Sequence, residues 1–387
     1  MSPSVPQKPL RTALIGLSSS AATSWASAAH LPNFQIDGGK QRFAITALLN
    51  SSEDAAKKAV STYNLPAETK TYGKPEDLAN DAAIDFVVCN TRVDKHYQTT
   101  LSSIKAGKDA YIEWPVAGNQ QHIQELVDAA RQSGARVAIG LQRRWAPPIL
   151  KIKEIVSSGR LGKILSSELR QYGGTVDREK VASGIKYFAD RSVGGNVITI
   201  SVGHAIDFAQ SVVGELVKDT VQTRLELQRP EVLVRDPQTG DIIETIRSNV
   251  PDLLSLHGRI SSPHASENAT LNYLFRRGQP FPGTPVLDWR INFEKGEARL
   301  SSVKATGLEA DPSEILIQIH HFDTDEVENI PWEWSEEQKQ VPYSARNVLS
   351  SLFAFADGKE AVEGWVSVED AARRAEQIEG WLRSSGW

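Results

Sequence analysis

Between Arg11 and Gln142, short apolar runs alternate with helix-period stretches, and that alternation leaves the front of the chain few folds to choose from. The runs are TALIGL, FAITALL, IDFVVCN, AYIEW and RVAIGL; between them lie SWASAAHLPNF, SEDAAKKAVSTYN, HYQTTLSSIKAG and NQQHIQELVDAARQSG. Runs apolar on both faces and joined by helices belong to a parallel sheet covered on each side. Residues 11–143 are therefore expected to form a doubly wound nucleotide-binding domain, preceded by a polar, proline-rich tail at 1–10.

After RRWAPPILKIKEIVSSGRLG the pattern changes. ILSSELRQYGG, DTVQTRLELQ, LLSLHGRISS, ENATLNYLFRRG, PVLDWRINFE and EARLSSV show partial alternation with turn residues between them. They predict a second α/β domain, residues 144–387, built on a large, mostly antiparallel open sheet with one wet face. Helical patterns return in SARNVLSSLFAFADG and in VEDAARRAEQIEGWLRSS, the latter opened by Ser367 with Asp370 three positions on.

Composition narrows the partners. The 387 residues carry a net charge of −5 with basic residues scattered, so no phosphate-backbone footprint marks nucleic acid as a direct ligand. The lone cysteine, Cys89, lies inside an apolar run and can form no internal disulfide, which fits a reducing compartment, cytoplasmic or, for a regulator, nuclear. Neither a signal-peptide core nor a membrane-length apolar stretch is present in the sequence, so no membrane partner is expected. No metal cluster is expected either.

The first run ends at LIGLSSSAATSWASAA, where a dinucleotide fold usually places three glycines and this chain has only Gly16. Leu17, Ser18, Ser19 and Ser20 instead offer backbone N–H groups and hydroxyls ahead of an expected helix N-terminus, which can hold a phosphate. A serine-rich loop that merely caps a helix reads the same way. The second run ends in Asn50 and Ser51, neutral residues that can donate to a ribose 2′-hydroxyl or a 2′-phosphate, so NAD and NADP both remain open; a plain Asn-Ser turn is the alternative. Asn90, Thr91, Arg92 and His96 follow IDFVVCN at a carboxyl edge of the sheet, where they can meet the nicotinamide ribose or a polar substrate, or form a solvated loop before a helix. YIEWPVAG puts Glu113 and Trp114 where a strand leaves the sheet, with Pro115 biasing Trp114 toward an extended backbone. Of Arg143 and Arg144, one is expected to reach the cleft and the other to be a surface charge; Arg144 is counted among the cofactor-contacting candidates.

In the second half, SVGGNVITISVGHAIDFAQ pairs Gly194 with Gly195, which permits a close backbone approach. It also sets His204 and Asp207 at i and i+3 on one helix face, so that the carboxylate can orient the ring. An oriented imidazole is a candidate general acid or base, with Tyr187 and Lys186 of GIKYFAD as assistants; a hydrogen-bonded packing histidine is the competing reading.

Taken together, the amino-terminal pattern, AGKDAYIEWPVA, GRLGKI, the GG…GHAID segment and the closing helix resemble the glucose-fructose oxidoreductase, inositol dehydrogenase and rhizopine-catabolism superfamily over nearly the whole chain. Within it, the Gly-Leu-Ser loop, the tryptophan after the glutamate and Gly-His-x-Ile-Asp resemble the fungal group similar to the galactose-regulon repressor of yeasts. The superfamily resemblance implies a Rossmann domain binding NAD or NADP, a second domain whose open sheet makes dimer contacts, and oxidation or reduction of a carbinol carbon on a small molecule. It also exposes two departures. The family's Glu-Lys-Pro is here Glu113-Trp114-Pro115, and the aspartate usually found four residues before the helix histidine is Ile200. An indole N–H donates one hydrogen bond and exchanges no proton near neutrality. The expectation is thus an NAD(P)-dependent oxidoreductase of atypical site, its nicotinamide between indole and imidazole, with a catalytically silent dinucleotide-binding regulator as the alternative.

Overall fold

The apolar runs of the front half become parallel strands: β1 Leu10–Ile15, β2 Phe43–Leu49, β3 Lys70–Tyr72, β4 Phe86–Cys89, β5 Asp109–Glu113 and β6 Val137–Gly140. They form a six-stranded sheet in the order β3-β2-β1-β4-β5-β6, every pair parallel. β4 and β6 are buried at every residue, as strands covered on both faces must be. Helix Val93–Lys105 packs on β4 and β5 and against Gln120–Ser133, and helix Glu53–Thr62 packs on β2 and β3. Glu53–Thr62 is opened by Ser52 and Gln120–Ser133 by Asn119, each accepting a backbone N–H of its first turn. This computed structural model describes residues 8–20, 23, 25–173, 177–358 and 365–387.

The chain divides into two compact units, and the division is not the contiguous one expected. Unit 1 contains residues 1–142 together with 192–195 and 335–376; unit 2 contains 143–191, 196–334 and 377–387. The reason lies in the helix Tyr343–Ala356, whose apolar residues complete the core of unit 1. Phe355 stacks on Phe86 of β4 with ring centroids 4.9 Å apart, and Asn33 Nδ2 donates to the Ala345 carbonyl at 3.1 Å. Farther along, Ile139 N–H of β6 donates to Val366 O at 2.9 Å.

Unit 2 holds β7 Ile164–Gly173, β8 Lys180–Ala182, β9 Glu215–Leu216, β10 Gln222–Glu226, β11 Glu231–Arg235, β12 Ile242–Arg247, β13 Leu253–Ser261, β14 Ala265–Arg277, β15 Leu287–Phe293, β16 Gly296–Ser302, β17 Ile315–His321 and β18 Glu326–Asn329. A nine-stranded sheet runs β10-β13-β14-β7-β15-β16-β17-β18, with β9 added on β13. All its pairs are antiparallel except β14 with β7. Tyr273, Leu169 and Trp289 lie side by side on the inner face, and Leu274, Arg170 and Asp288 form the next row on the outer face. The helix Gly203–Val213 packs against β7, with Phe208 5.6 Å from the Trp289 ring, so it covers the inner face there. The α/β class and the mostly antiparallel second sheet are as expected. A separate small sheet, β12-β11-β8, was not.

Candidate functional site

In unit 1 the strand order reverses between β1 and β4, and in open parallel sheets ligands bind beyond the carboxyl ends at such a point. Gly16 leaves β1 there with φ +93°, and a Cβ on it would sit 2.9 Å from Thr91 Cγ2; only glycine fits this turn. Leu17 is buried, Ser18 half-buried, and Ser19 and Ser20 exposed. The Ser18 and Ser20 hydroxyls lie 3.0 Å apart, and the Tyr63 hydroxyl donates to Ser18 O at 3.2 Å, so the loop is braced from below. Residues 21, 22 and 24, which lead to the expected helix N-terminus, lie outside the described residues. Helical backbone is entered through a π-helical turn at Ala26–His30.

Two further residues of this edge differ from expectation. Asn50 donates through Nδ2 to Leu17 O at 2.8 Å and to Ala55 O at 3.3 Å, so its amide protons anchor the loop instead of reaching a ribose. Ser51 is exposed beside it. His96 is buried with Nδ1 2.9 Å from Pro115 O and Nε2 2.8 Å from Thr91 O. Burial pushes its pKa below the ordinary value, so the neutral ring carries one proton and serves one carbonyl at a time. It is a brace between two loops, not a ribose contact. Arg92 forks onto Asp94 at 2.6 and 2.8 Å at the head of Val93–Lys105, and Thr91 Oγ1 lies 3.3 Å from Cys89 Sγ.

Asn90 differs in kind. Its backbone N–H donates to Ile15 O at 2.9 Å, while its side-chain Oδ1 and Nδ2 are both buried without a hydrogen-bond partner. Buried amides are ordinarily satisfied, so this one, next to the Gly16 turn, fits a bound polar group. Glu113, at the end of β5, accepts from His30 Nε2 at 2.5 Å in a buried pair. The sequence reading missed His30, 83 residues away. Trp114 follows, 5 % exposed, with a cis peptide to Pro115. The close approach expected of the glycine pair holds at Gly194: with φ +86°, its Cβ would meet Gly118 Cα at 2.5 Å.

In unit 2, Asn196 caps the segment that carries His204. Its Oδ1 accepts from Ile198 N and Thr199 N at 2.9 and 3.1 Å, and Thr199 Oγ1 accepts from Asn196 N in return. The helix Gly203–Val213 that follows is almost wholly buried. The expected orientation of His204 by Asp207 is not made. Asp207 instead receives Arg144, with Nε at 2.9 Å and Nη2 on the other oxygen, because a guanidinium fork matches a carboxylate in two bonds. Arg144 is thereby held inside unit 2. His204 is 5 % exposed with Nδ1 unpartnered; burial, then the Arg143 charge, hold its pKa well below the ordinary value. Lys186, expected to assist it, is exposed and donates to Glu244 of β12 at 2.8 Å, a surface ion pair. Tyr187 is half-buried, edge-on to Phe188.

Arg143 is mostly buried and is not a surface charge: its Nε lies 3.9 Å from Glu309 Oε1, and its Nη1 has no hydrogen-bond partner. Two inner-face residues that the sequence reading passed over complete this region. Tyr273 donates its hydroxyl to Gln171 Oε1, and Gln171 Nε2 is left unpartnered. A polar residue at an inward position of ILSSELRQYGG was the available signal.

Comparison with known proteins agrees with this two-part design. Residues 10–141 match the GFO_IDH_MocA model, an oxidoreductase family with an NAD-binding Rossmann fold, and residues 147–302 match the Gal80p C-terminal domain. Dehydrogenase aclE of Aspergillus oryzae is 31% identical over 297 residues, 76% of this chain and 77% of that protein. The galactose/lactose metabolism regulatory protein GAL80 of Saccharomyces cerevisiae is 26% identical over 301 residues, 76% of this chain and 66% of that one. A crystal structure of a super-repressor mutant of Gal80p from Saccharomyces cerevisiae shares the fold, with a TM-score of 0.84 at 22% identity over 97% of this chain and 96% of that chain. The chain thus belongs to the Gfo/Idh/MocA oxidoreductase family, with an NAD-binding Rossmann fold and relatives that include both a dehydrogenase and regulators of galactose metabolism.

Proposed function

We propose that this protein is an NAD(P)-dependent oxidoreductase acting on a small-molecule carbonyl, carbinol, enone or imine through a site that lacks the family lysine. The observation that carries the reading is the edge between β1 and β4, where the Gly16 turn sits directly against Thr91 and Asn90, and Asn90 presents a buried amide with no partner. Gly16, Leu17, the hydroxyls of Ser18 to Ser20 and the Asn90 amide are the groups that would hold NAD or NADP there. The chemistry such a cofactor supplies is hydride transfer.

The chain's own residues offer little proton assistance. Trp114 donates a hydrogen bond and exchanges no proton. His204 is held neutral by burial and by Arg143, so it offers a hydrogen bond rather than an acidic imidazolium. General acid–base help is worth roughly 10² to 10⁴ in rate, so the best substrates are acceptors already activated, enones and imines ahead of sugars. One feature favours a second reading, a silent dinucleotide-binding regulator: Trp114 stands where the family lysine would move a proton. A homodimer through the outer face of the nine-stranded sheet, where Leu165, Leu274 and Leu316 are exposed, is proposed alongside either reading.

The test follows oxidation of NADH and of NADPH by absorbance with a panel of carbonyls, enones and imines. Turnover that His204→Ala diminishes supports the oxidoreductase. No turnover, with cofactor tightening the capture of an acidic activator peptide, replaces it with the regulator. Trp114→Lys is expected to bring sugar oxidation within measurement.

A further inference from the structure

Several buried side-chain nitrogens in the inner region of unit 2 have no hydrogen-bond partner. Gln171 is fully buried on β7, facing Phe275 of β14 and Leu287 of β15 in register, and Tyr273 lies two residues along β14 from Phe275. Because the Tyr273 hydroxyl donates to Oε1, the amide is fixed in one orientation and Nε2 carries two protons with no acceptor. Arg143 enters from the turn Gln142–Trp145, its buried Nη1 likewise without an acceptor and Glu309 no nearer than 3.9 Å. The helix that carries His204 packs on β7, the strand that carries Gln171, and the guanidinium charge acts on both His204 and the Tyr273 phenol. His204 adds an unpartnered Nδ1.

We propose that Arg143, Gln171 and His204 form a carboxylate-binding site, and that the substrate of this protein is a small carboxylic acid rather than a neutral sugar or polyol. This rests on the oxidoreductase reading for the word substrate; the site itself does not. A polyol brings as many donors as acceptors, and the main side-chain acceptor here, Gln171 Oε1, is already taken by Tyr273. A carboxylate brings acceptors only. Its plane matches a guanidinium edge, and its charge complements an arginine that a 3.9 Å contact with Glu309 compensates weakly. The oriented amide, with the His204 ring in the tautomer that protonates Nδ1, then fixes the acid's position.

The full-length protein is titrated calorimetrically with L-malate and L-lactate, with malamide, lactamide and myo-inositol as neutral counterparts, each with and without NADH. The acids are expected to bind and the neutral compounds to bind at least tenfold more weakly. Arg143→Met and the isosteric Gln171→Glu should each weaken the acids tenfold or more, and Arg143→Lys should recover part of the loss; circular dichroism confirms that each variant is folded. Equal binding of amides or inositol, unaltered acid binding by Arg143→Met, or no uptake of either acid overturns the proposal. The two readings fail separately. Enone turnover with no binding of either acid removes the carboxylate site and leaves the oxidoreductase, whereas acid binding without any uptake of NADH or NADPH does the reverse.

Discussion

The carboxyl edge of the sheet in unit 1 and the inner cluster of unit 2 are both polar, but they use their polarity in opposite ways. At the edge, most side chains are committed to the protein: Asn50 holds the Leu17 carbonyl, His96 bridges two loops, and Glu113 takes His30. Asn90 instead keeps a buried amide without a partner. In unit 2, Arg143, Gln171 and His204 each keep a buried nitrogen without a partner. Committed groups shape a surface, and uncommitted ones are what a ligand can complete, since an unmet buried donor is costly. The contrast makes measurable claims.

The largest effect should come from breaking a commitment. Glu113→Leu leaves His30 alone in the core and is expected to cost about 3–5 kcal/mol in denaturant unfolding. A loss below about 1 kcal/mol would mean that the pair contributes little and that the edge is less committed than its geometry says. Next, Gly16→Val places a side chain against Thr91 in a left-handed turn. Titration with NADH and NADPH should show roughly 100-fold weaker binding, equivalent to about 2.7 kcal/mol.

A middle effect concerns His204. Its folded pKa lies well below the ordinary 6.5, so the unfolded chain takes up a proton first. The stability associated with it is complete above pH 6.5 and is lost as pH falls toward the folded value, with a limiting slope of about 1.4 kcal/mol per pH unit. Melts of the wild type and His204→Asn between pH 7.5 and 5 should therefore diverge on the acid side, with the variant losing less; parallel curves would show the ring to be solvated. The smallest effect is the sharpest test of the contrast. Arg143→Met removes a buried charge with an unmet donor, and should change unfolding stability by about 1 kcal/mol or less, in contrast to Glu113→Leu.

How much of this was readable beforehand depended on range along the chain. Apolar runs disclosed five strands of the parallel sheet because none of the five has an exposed residue. β3, three residues long and partly exposed, carries no such run. β12 is exposed at five of its six positions, so it has no alternation to read, and the small sheet went unseen with it. At the site, Gly16 and Gly194 were legible because a local backbone demand has a residue-type signature. The partners of Asn50 and His96 are backbone carbonyls, which are chemically identical at every residue, so no sequence pattern announces them. Asp207 was assigned to a neighbour on its own helix, whereas an arginine 63 residues earlier offered the better two-bond match.

The helix bearing Phe355 carries a further implication for how the molecule is made. The ribosome releases all six strands of the first sheet well before it has synthesised the residues that cover Phe86, and nearly the whole of unit 2 is made in between. A nascent chain must therefore keep an open hydrophobic flank until its closing segment emerges, which makes that interval the natural moment for chaperone capture or misassembly.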